Sequence, residues 1–338
     1  METFYWVINC IEFKPLFSIL LQEGQKEKKG GIELQDYFSM FSFRAVWTPE
    51  LLIILILFIF LYYRLVYSKA RAEHIESPKT KRLVYFGAAL AAMYFGWGGP
   101  LYTAGHSIMT FHMAQMVLVY FIAVPLFILS IPPEVWEKIL QRFQGWPARI
   151  AAHVFHPVTA LLLFNAFFSI YHLPAVFDYL MQAPLYHDLY QWLLFGSAFL
   201  MWWYMLAPVP TTNQLSELKR IAYIFGNGIL ITPACALIIF AGSPMYETYT
   251  NAAVWSNVMA YCLPAGSELP AGLSGTAGGG LQFMQPHTDQ QLAGVMMKVL
   301  QEFVYVSTIG FVFKQWLSRE KQQDGELSIS DIPVHPQK

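Results

Sequence analysis

"GHSIMTFHMAQMVLVYFIAVPLFILSI", residues 105–131, contains no Asp, Glu, Lys or Arg. About 20 apolar residues in an α-helix cross the ~30 Å hydrocarbon core of a bilayer. The part from 108 to 131 therefore reads as a transmembrane helix. Its first half is unusual for one, because His106 and His112, with Met109, Met113 and Met116, stand where leucine would serve. Ionisable side chains within spans are rare and mark functional sites by default.

The rest of the chain has the same character. Of 338 residues, 56% are hydrophobic and 13% charged, against roughly one quarter charged in a soluble domain. Aromatic residues reach 17%, and Trp and Tyr favour membrane interfaces. A net charge of −1 offers no basic surface for nucleic acid. Apolar runs near 50–68, 83–100, 108–131, 154–174, 186–207, 220–241 and 292–317 predict seven spans.

Cationic residues fall in alternate connections. Arg64, Lys69, Arg71, Lys79, Lys81 and Arg82 follow the first span; Lys138, Arg142 and Arg149 follow the third. Lys219 and Arg220 follow the fifth, and Lys314, Arg319 and Lys321 lie near the end of the seventh. The intervening connections hold no Lys or Arg. The positive-inside rule then predicts the N-terminus outside and the C-terminus in the cytoplasm. The expected fold class is all-α, a polytopic membrane bundle of seven transmembrane helices.

Residues 49–318 form the expected membrane domain. Residues 1–48 are apolar but interrupted by Glu12 and Lys14. They lack a basic n-region and a small-residue cleavage site, so they read as an interfacial extension, with an eighth span as the alternative. The connection 242–290 includes "PAGSELPAGLSGTAGGG" at 264–280, the composition of a flexible external loop. The polar tail 319–338 is expected to be disordered. The three cysteines, Cys10, Cys235 and Cys262, form no CxxC pair, which argues against a thiolate metal centre or a disulfide framework.

Orientation sorts the histidines. His74, His153, His156 and His335 fall on the cytoplasmic side. His106, His112, His172, His187 and His287 fall toward the outer side. Three different spans thus bring His106 and His112, His172 and His187 to one leaflet. Along a continuous helix, His106, Met109, His112, Met113 and Met116 occupy an arc of roughly 120°. Imidazole and thioether suit Cu(I), whereas hard cations prefer oxygen. Packing histidines and apolar methionines are the alternative reading.

Asp178 stands between His172 and His187 and could orient a ligand imidazole, or serve as a helix cap. Asp289 opens "DQQLAGVMM", either as a cap or as a polar anchor closing the same site from the seventh span. Pro174 in "YHLP" disfavours helix at Leu173 and ends the fourth span at His172. The inner pair His153 and His156 lacks partners on other spans and reads as an interfacial cap. No P-loop, HExxH or GxSxG occurs, so the motifs of soluble enzymes offer no catalytic reading. A b-type haem or quinone subunit, or a metal-free scaffold, remains open from the residues alone.

Through "GHSIMTFHMAQM", "HPVTALLLFNAFFSIYHLP", "PLYHDLY" and "DQQLAGVMM", the chain resembles the CtaG family of integral-membrane cytochrome c oxidase assembly factors of Bacillus-like bacteria. The resemblance runs from "FRAVWTPELLIILIL" at 43–57 to Arg319 and leaves residues 1–42 as an extension. It implies a seven-helix, multi-pass protein of the plasma membrane. It also implies oxidase subunits as partners and copper supplied to the caa-type oxidase, with homo-oligomerisation open. The family's HMxQH motif corresponds to His112, Met113 and Gln115, its WHLP-like motif to His172, the histidine opening the fifth helix to His187, and DQQLAG to Asp289. Two positions depart from the pattern: Met116 replaces the second histidine of HMxQH, and Gln191 stands where a histidine is common.

Overall fold

The computed structural model describes residues 34–67, 80–142, 156–210, 213–263 and 284–326. All regular structure among them is helical. Two short helices come first, α1 (Leu34–Ser39) and α2 (Phe43–Trp47), followed by α3 (Pro49–Tyr62), which ends in a π-helical turn, Tyr63–Tyr67. Next come α4 (Thr80–Trp97), α5 (Gly99–Gly105) and α6 (Met109–Met116). A π-helical stretch, Val117–Ala123, joins α6 to α7 (Val124–Ser130), and α8 (Pro133–Arg142) follows. The second half holds α9 (Pro157–Tyr171), α10 (Pro174–Met181), α11 (Pro184–Leu206), α12 (Glu217–Phe240), α13 (Glu247–Thr250), α14 (Ala252–Ala260) and α15 (Pro286–Glu326).

Among the described residues, four helical stretches are long and apolar enough to cross a bilayer: Phe43–Tyr67, Met109–Ser130, Glu217–Phe240 and Pro286–Gln322. The bent pair α9 and α10, turned by 76° at a short break, makes a fifth if counted as one span. The apolar runs expected as the other two spans form α4 and α11, helices of 18 and 23 residues that are not among these stretches. Lys81 and Arg82 lower the apolarity of α4, and α11 is diluted by Trp and Tyr.

Local chemistry sets the helix starts. Pro49, Pro157, Pro174 and Pro184 stand in the first turn of their helices, where a missing N–H costs nothing and the fixed φ suits the helix. Inside a span the same residue has a cost, since it removes one ladder bond. The π-helical stretch lies just before Pro125, a local winding change of the kind that accommodates such a break. At the other end of α11, buried Arg220 donates from Nε and Nη2 to Met205 O (2.9 and 2.7 Å) and from Nη2 to Leu206 O (2.8 Å). It thereby satisfies carbonyls that the helix end leaves open.

One large apolar core runs through α4, α6, α7, α9, α11, α12 and α15. Helices α12 and α15 lie side by side along much of their length. A Cβ on Gly294 would sit 2.7 Å from Ile239, so the close approach of these two helices depends on glycine there. The outer face of α3 is exposed and apolar, from Ile53 to Phe60, as a lipid-facing helix should be.

Three boundaries differ from the sequence expectations. Of the extension 1–48, residues 34–48 are described. In them Tyr37, Phe41 and Val46 join Ala104, Ile108, Trp255 and Met259 in a second apolar cluster. The connection 242–290 is helical over α13 and α14, because Asp178 and Asn251 cap those turns; the glycine-rich 264–280 lies outside the described residues. The seventh span does not stop near 317, since α15 continues to Glu326 through good helix formers. Arg319 pairs with Glu217 of α12 along this extension. At 41 residues it is about 60 Å long, roughly twice the hydrocarbon thickness.

Candidate functional site

The helix expected to run unbroken through 105–131 has a break where the histidines begin. Helix α5 ends at Gly105, His106 is its C-cap, and Ile108 is extended (φ −133°, ψ 121°) before α6 starts at Met109. His106 therefore does not lie on the α6 stripe, a correction to the continuous arc inferred from the sequence. Its Nδ1 hydrogen-bonds the Tyr102 carbonyl at 2.8 Å. Gln115 holds α5 and α6 together by donating to Leu101 O at 2.5 Å. Its amide lies so close to Gly105 that a Cβ there would collide with it.

A bare helix start inside a bundle leaves N–H groups unsatisfied. Helix α6 has no side-chain cap of its own; Asp289 supplies one from α15. Asp289 Oδ2 accepts from Met109 N (2.7 Å), and Oδ1 accepts from Thr110 N (3.1 Å) and Thr110 Oγ1 (2.5 Å). The next two residues continue the pattern. Gln290 accepts from Met245 N (2.8 Å) and donates to Ile238 O (3.1 Å), and Gln291 donates to Ile239 O (3.2 Å). "DQQLAG" is thus a fastening strip: three polar side chains that bind backbone groups of other segments, and a glycine that admits α12.

Below this cap His112 is buried. Its ring lies parallel to Tyr171 (centroids 5.8 Å, 6° between planes), edge-on to Phe177 (5.1 Å) and edge-on to His172 (6.4 Å). His172 is fully buried at the bend between α9 and α10. Its Nδ1 lies 2.7 Å from Phe168 O. A carbonyl only accepts, so Nδ1 carries the hydrogen and Nε2 keeps its lone pair. The Nε2 atoms of both His112 and His172 are buried without a hydrogen-bond partner among the described residues. Buried polar atoms are rarely left so, and here two sit on neighbouring imidazoles from different helices.

His187, in the first turn of α11, reaches this pair through Tyr171. Its Nε2 lies 2.8 Å from Tyr171 Oη and 3.0 Å from Gln191 Nε2. The Tyr171 ring lies between the rings of His112 and His187. Met109, Met113 and Met116 are all buried in the main core. Met116 and Gln191, the two positions that depart from the family pattern, line one small crevice with Gly96, Trp97, Val119 and Tyr120. The two replacements are therefore spatial neighbours.

Asp178 and Asp289, each read from the sequence either as a cap or as a group supporting the site, both accept from N–H groups at helix starts. Asp178 accepts from Glu247 N (3.0 Å), Thr248 N (2.9 Å) and Thr248 Oγ1 (2.7 Å). It fixes α13, whose neighbour Tyr246 donates to His172 O (2.8 Å) and whose Tyr249 donates to Gly105 O (2.9 Å). The support is indirect, through backbone. His156 caps α9 by accepting from Val158 N, as expected of a cap; its sequence partner His153 lies outside the described residues. His287 hydrogen-bonds Ala241 O at 2.8 Å.

Among the described residues, no group of three or more His, Cys, Asp or Glu is placed to hold a metal ion. Burial pushes the free Cys262 thiol up to about 11. A metal here would rest first on His112 and His172. Their ring centroids stand 6.4 Å apart, against imidazole–metal bonds of about 2 Å each.

Sequence reasoning missed Tyr171, which lies between two of the singled-out histidines. Its one signal was its place beside His172 in "YHLP". It also missed a polar group deeper in the bundle, where Asn165 donates to Asn227 and Asn227 donates to Tyr305.

Fold and site together define a multi-pass, all-α membrane protein with a buried pair of imidazoles, His112 and His172, beside helix caps supplied from other segments. Residues 60–319 match the description of the cytochrome c oxidase caa3 assembly factors, and the chain belongs to that family. No curated protein and no solved structure matches it.

Proposed function

We propose that the protein assists oxidase assembly by holding Cu(I) at His112 and His172 and passing it to an oxidase subunit from the outer leaflet. The reading takes all seven helical rods as spans, with the N-terminus outside and the C-terminus in the cytoplasm. The observation that carries it is the pair of buried, unpartnered Nε2 atoms on adjacent rings from separate helices. Soft Cu(I) accepts neutral imidazole and thioether donors. Met109, Met113 and Met116 supply thioethers on the α6 side, with His106 nearer the outer surface. His187 takes part through Tyr171, fixing the ring that lies against His112.

The protein, purified and loaded with Cu(I) under reducing conditions, should retain about one copper per chain; one ion per site is the expectation for a single pair of ligands. The double change His112→Ala and His172→Ala should abolish it. Stoichiometric copper surviving that change would overturn the site.

A metal-free scaffold is the second reading. It is favoured by the lack of a third His, Cys, Asp or Glu beside the pair among the described residues. Full oxidase activity in cells carrying the same double variant would favour it over copper transfer.

A further inference from the structure

A second intramembrane polar feature lies away from the histidines, on the outside of the bundle. Lys298 and Glu302 sit within the apolar stretch Pro286–Gln322 of α15. Lys298 Nζ donates to Gly228 O (2.9 Å), Gln301 Oε1 (3.1 Å) and Glu302 Oε1 (2.5 Å). Those bonds use all three ammonium hydrogens. Gly228 stands halfway along Glu217–Phe240, which puts the pair near mid-depth. The Glu302 side chain is 48% exposed. Around it the exposed residues are apolar: Val295, Val299, Phe303 and Val306 on α15, Phe225 and Ile229 on α12.

Hydrocarbon supplies no donor to the outward oxygen of Glu302, and an exposed carboxylate at that depth is strongly disfavoured. A face built this way is complete only when covered. We propose that this α12–α15 face docks a transmembrane helix of another protein, one that carries a hydrogen-bond donor or cation (Lys, Arg, His, Asn or Gln) near its middle and places it on Glu302. A second copy of this chain is a poor occupant. Two-fold symmetry about the membrane normal makes the interface isologous, so it would set two Glu302 carboxylates at equal depth, with every Lys298 hydrogen already committed. The side chains Val299 and Val306 flank Glu302 and supply the apolar rim that such a helix would contact. Taking that helix to belong to an oxidase subunit rests on the assembly reading above.

A photo-crosslinking amino acid placed at Val299 or Val306 in the full chain, in membranes of cells that make the oxidase, tests this. Adducts should map to one apolar segment of another membrane protein with a donor side chain at its centre. Adduct yield should fall about three- to tenfold in Glu302→Ala, the range of one intramembrane hydrogen bond. It should fall less in Glu302→Gln, which keeps an acceptor. The amount of chain in the membrane is measured alongside, and a crosslinker at Leu189 on α11 serves as the control face. Adducts with lipid alone, adducts with a second copy, or a yield indifferent to residue 302 would overturn the proposal. A donor-bearing partner that is not an oxidase subunit would leave the docking face standing and overturn the assembly reading instead.

Discussion

Tyr171 shows how much a single residue holds at this site. Its ring lies parallel to His112, its hydroxyl meets His187, and it adjoins His172 in the chain. Replacing it with Phe keeps the ring packing and removes only the hydroxyl. His187 Nε2 then retains Gln191 alone. The expected result is a folded protein with unchanged unfolding temperature within about 2 °C and Cu(I) affinity weakened about 10-fold, the lower end for loss of a supporting hydrogen bond. A competition titration against a Cu(I) chelator measures the second, and thermal unfolding in detergent the first. An unchanged affinity would confine Tyr171 to packing.

At the scale of elements, the setting of His112 depends on a break rather than on a continuous helix. The interruption at 106–108 lets α6 begin inside the bundle, and Asp289 of α15 then closes the open end. Two substitutions probe this arrangement separately. Asp289→Ala removes the cap and leaves Met109 and Thr110 N–H groups unpaired, which should cost about 1–3 kcal/mol. Gly105→Ala drives a methyl into the Gln115 amide and should cost about 1–3 kcal/mol by overpacking. Both are measurable as lost stability in denaturant unfolding of the detergent-solubilised protein. If the cap matters for the site as well as the fold, Asp289→Ala should also lower copper retention. A Gly105→Ala protein as stable as the original would show that the Gln115 amide can turn aside at little cost.

For the whole molecule, the arrangement of charge fixes an expectation that geometry in isolation does not. The cationic connections alternate along the chain, and Arg220 and Arg319 come together at one end of α12 and α15, where Arg319 meets Glu217. A green fluorescent reporter fused after Lys338 should fluoresce, and a periplasm-dependent alkaline phosphatase there should be inactive. A phosphatase fused within 264–280 should be active. The reverse pattern would invert the topology and move the histidine pair to the cytoplasmic leaflet.

What could be read from the residues was what depends on composition and order. Apolar runs of bilayer length fix where helices lie, and the Lys and Arg bias fixes which ends are alike, because both are one-dimensional transfer energies. His112, His172 and His187 were legible for the same reason, since ionisable groups are conspicuous in hydrocarbon. Hydrogen-bond partners were not legible. That Asp289 serves a helix about 180 residues away in sequence, that Tyr171 stands between two imidazoles, and that Met116 and Gln191 share a crevice all follow from which helices pack together. Packing is a property of shapes meeting at close range, and a linear pattern carries no such distances; only the tertiary structure decided which buried nitrogen atoms were left free.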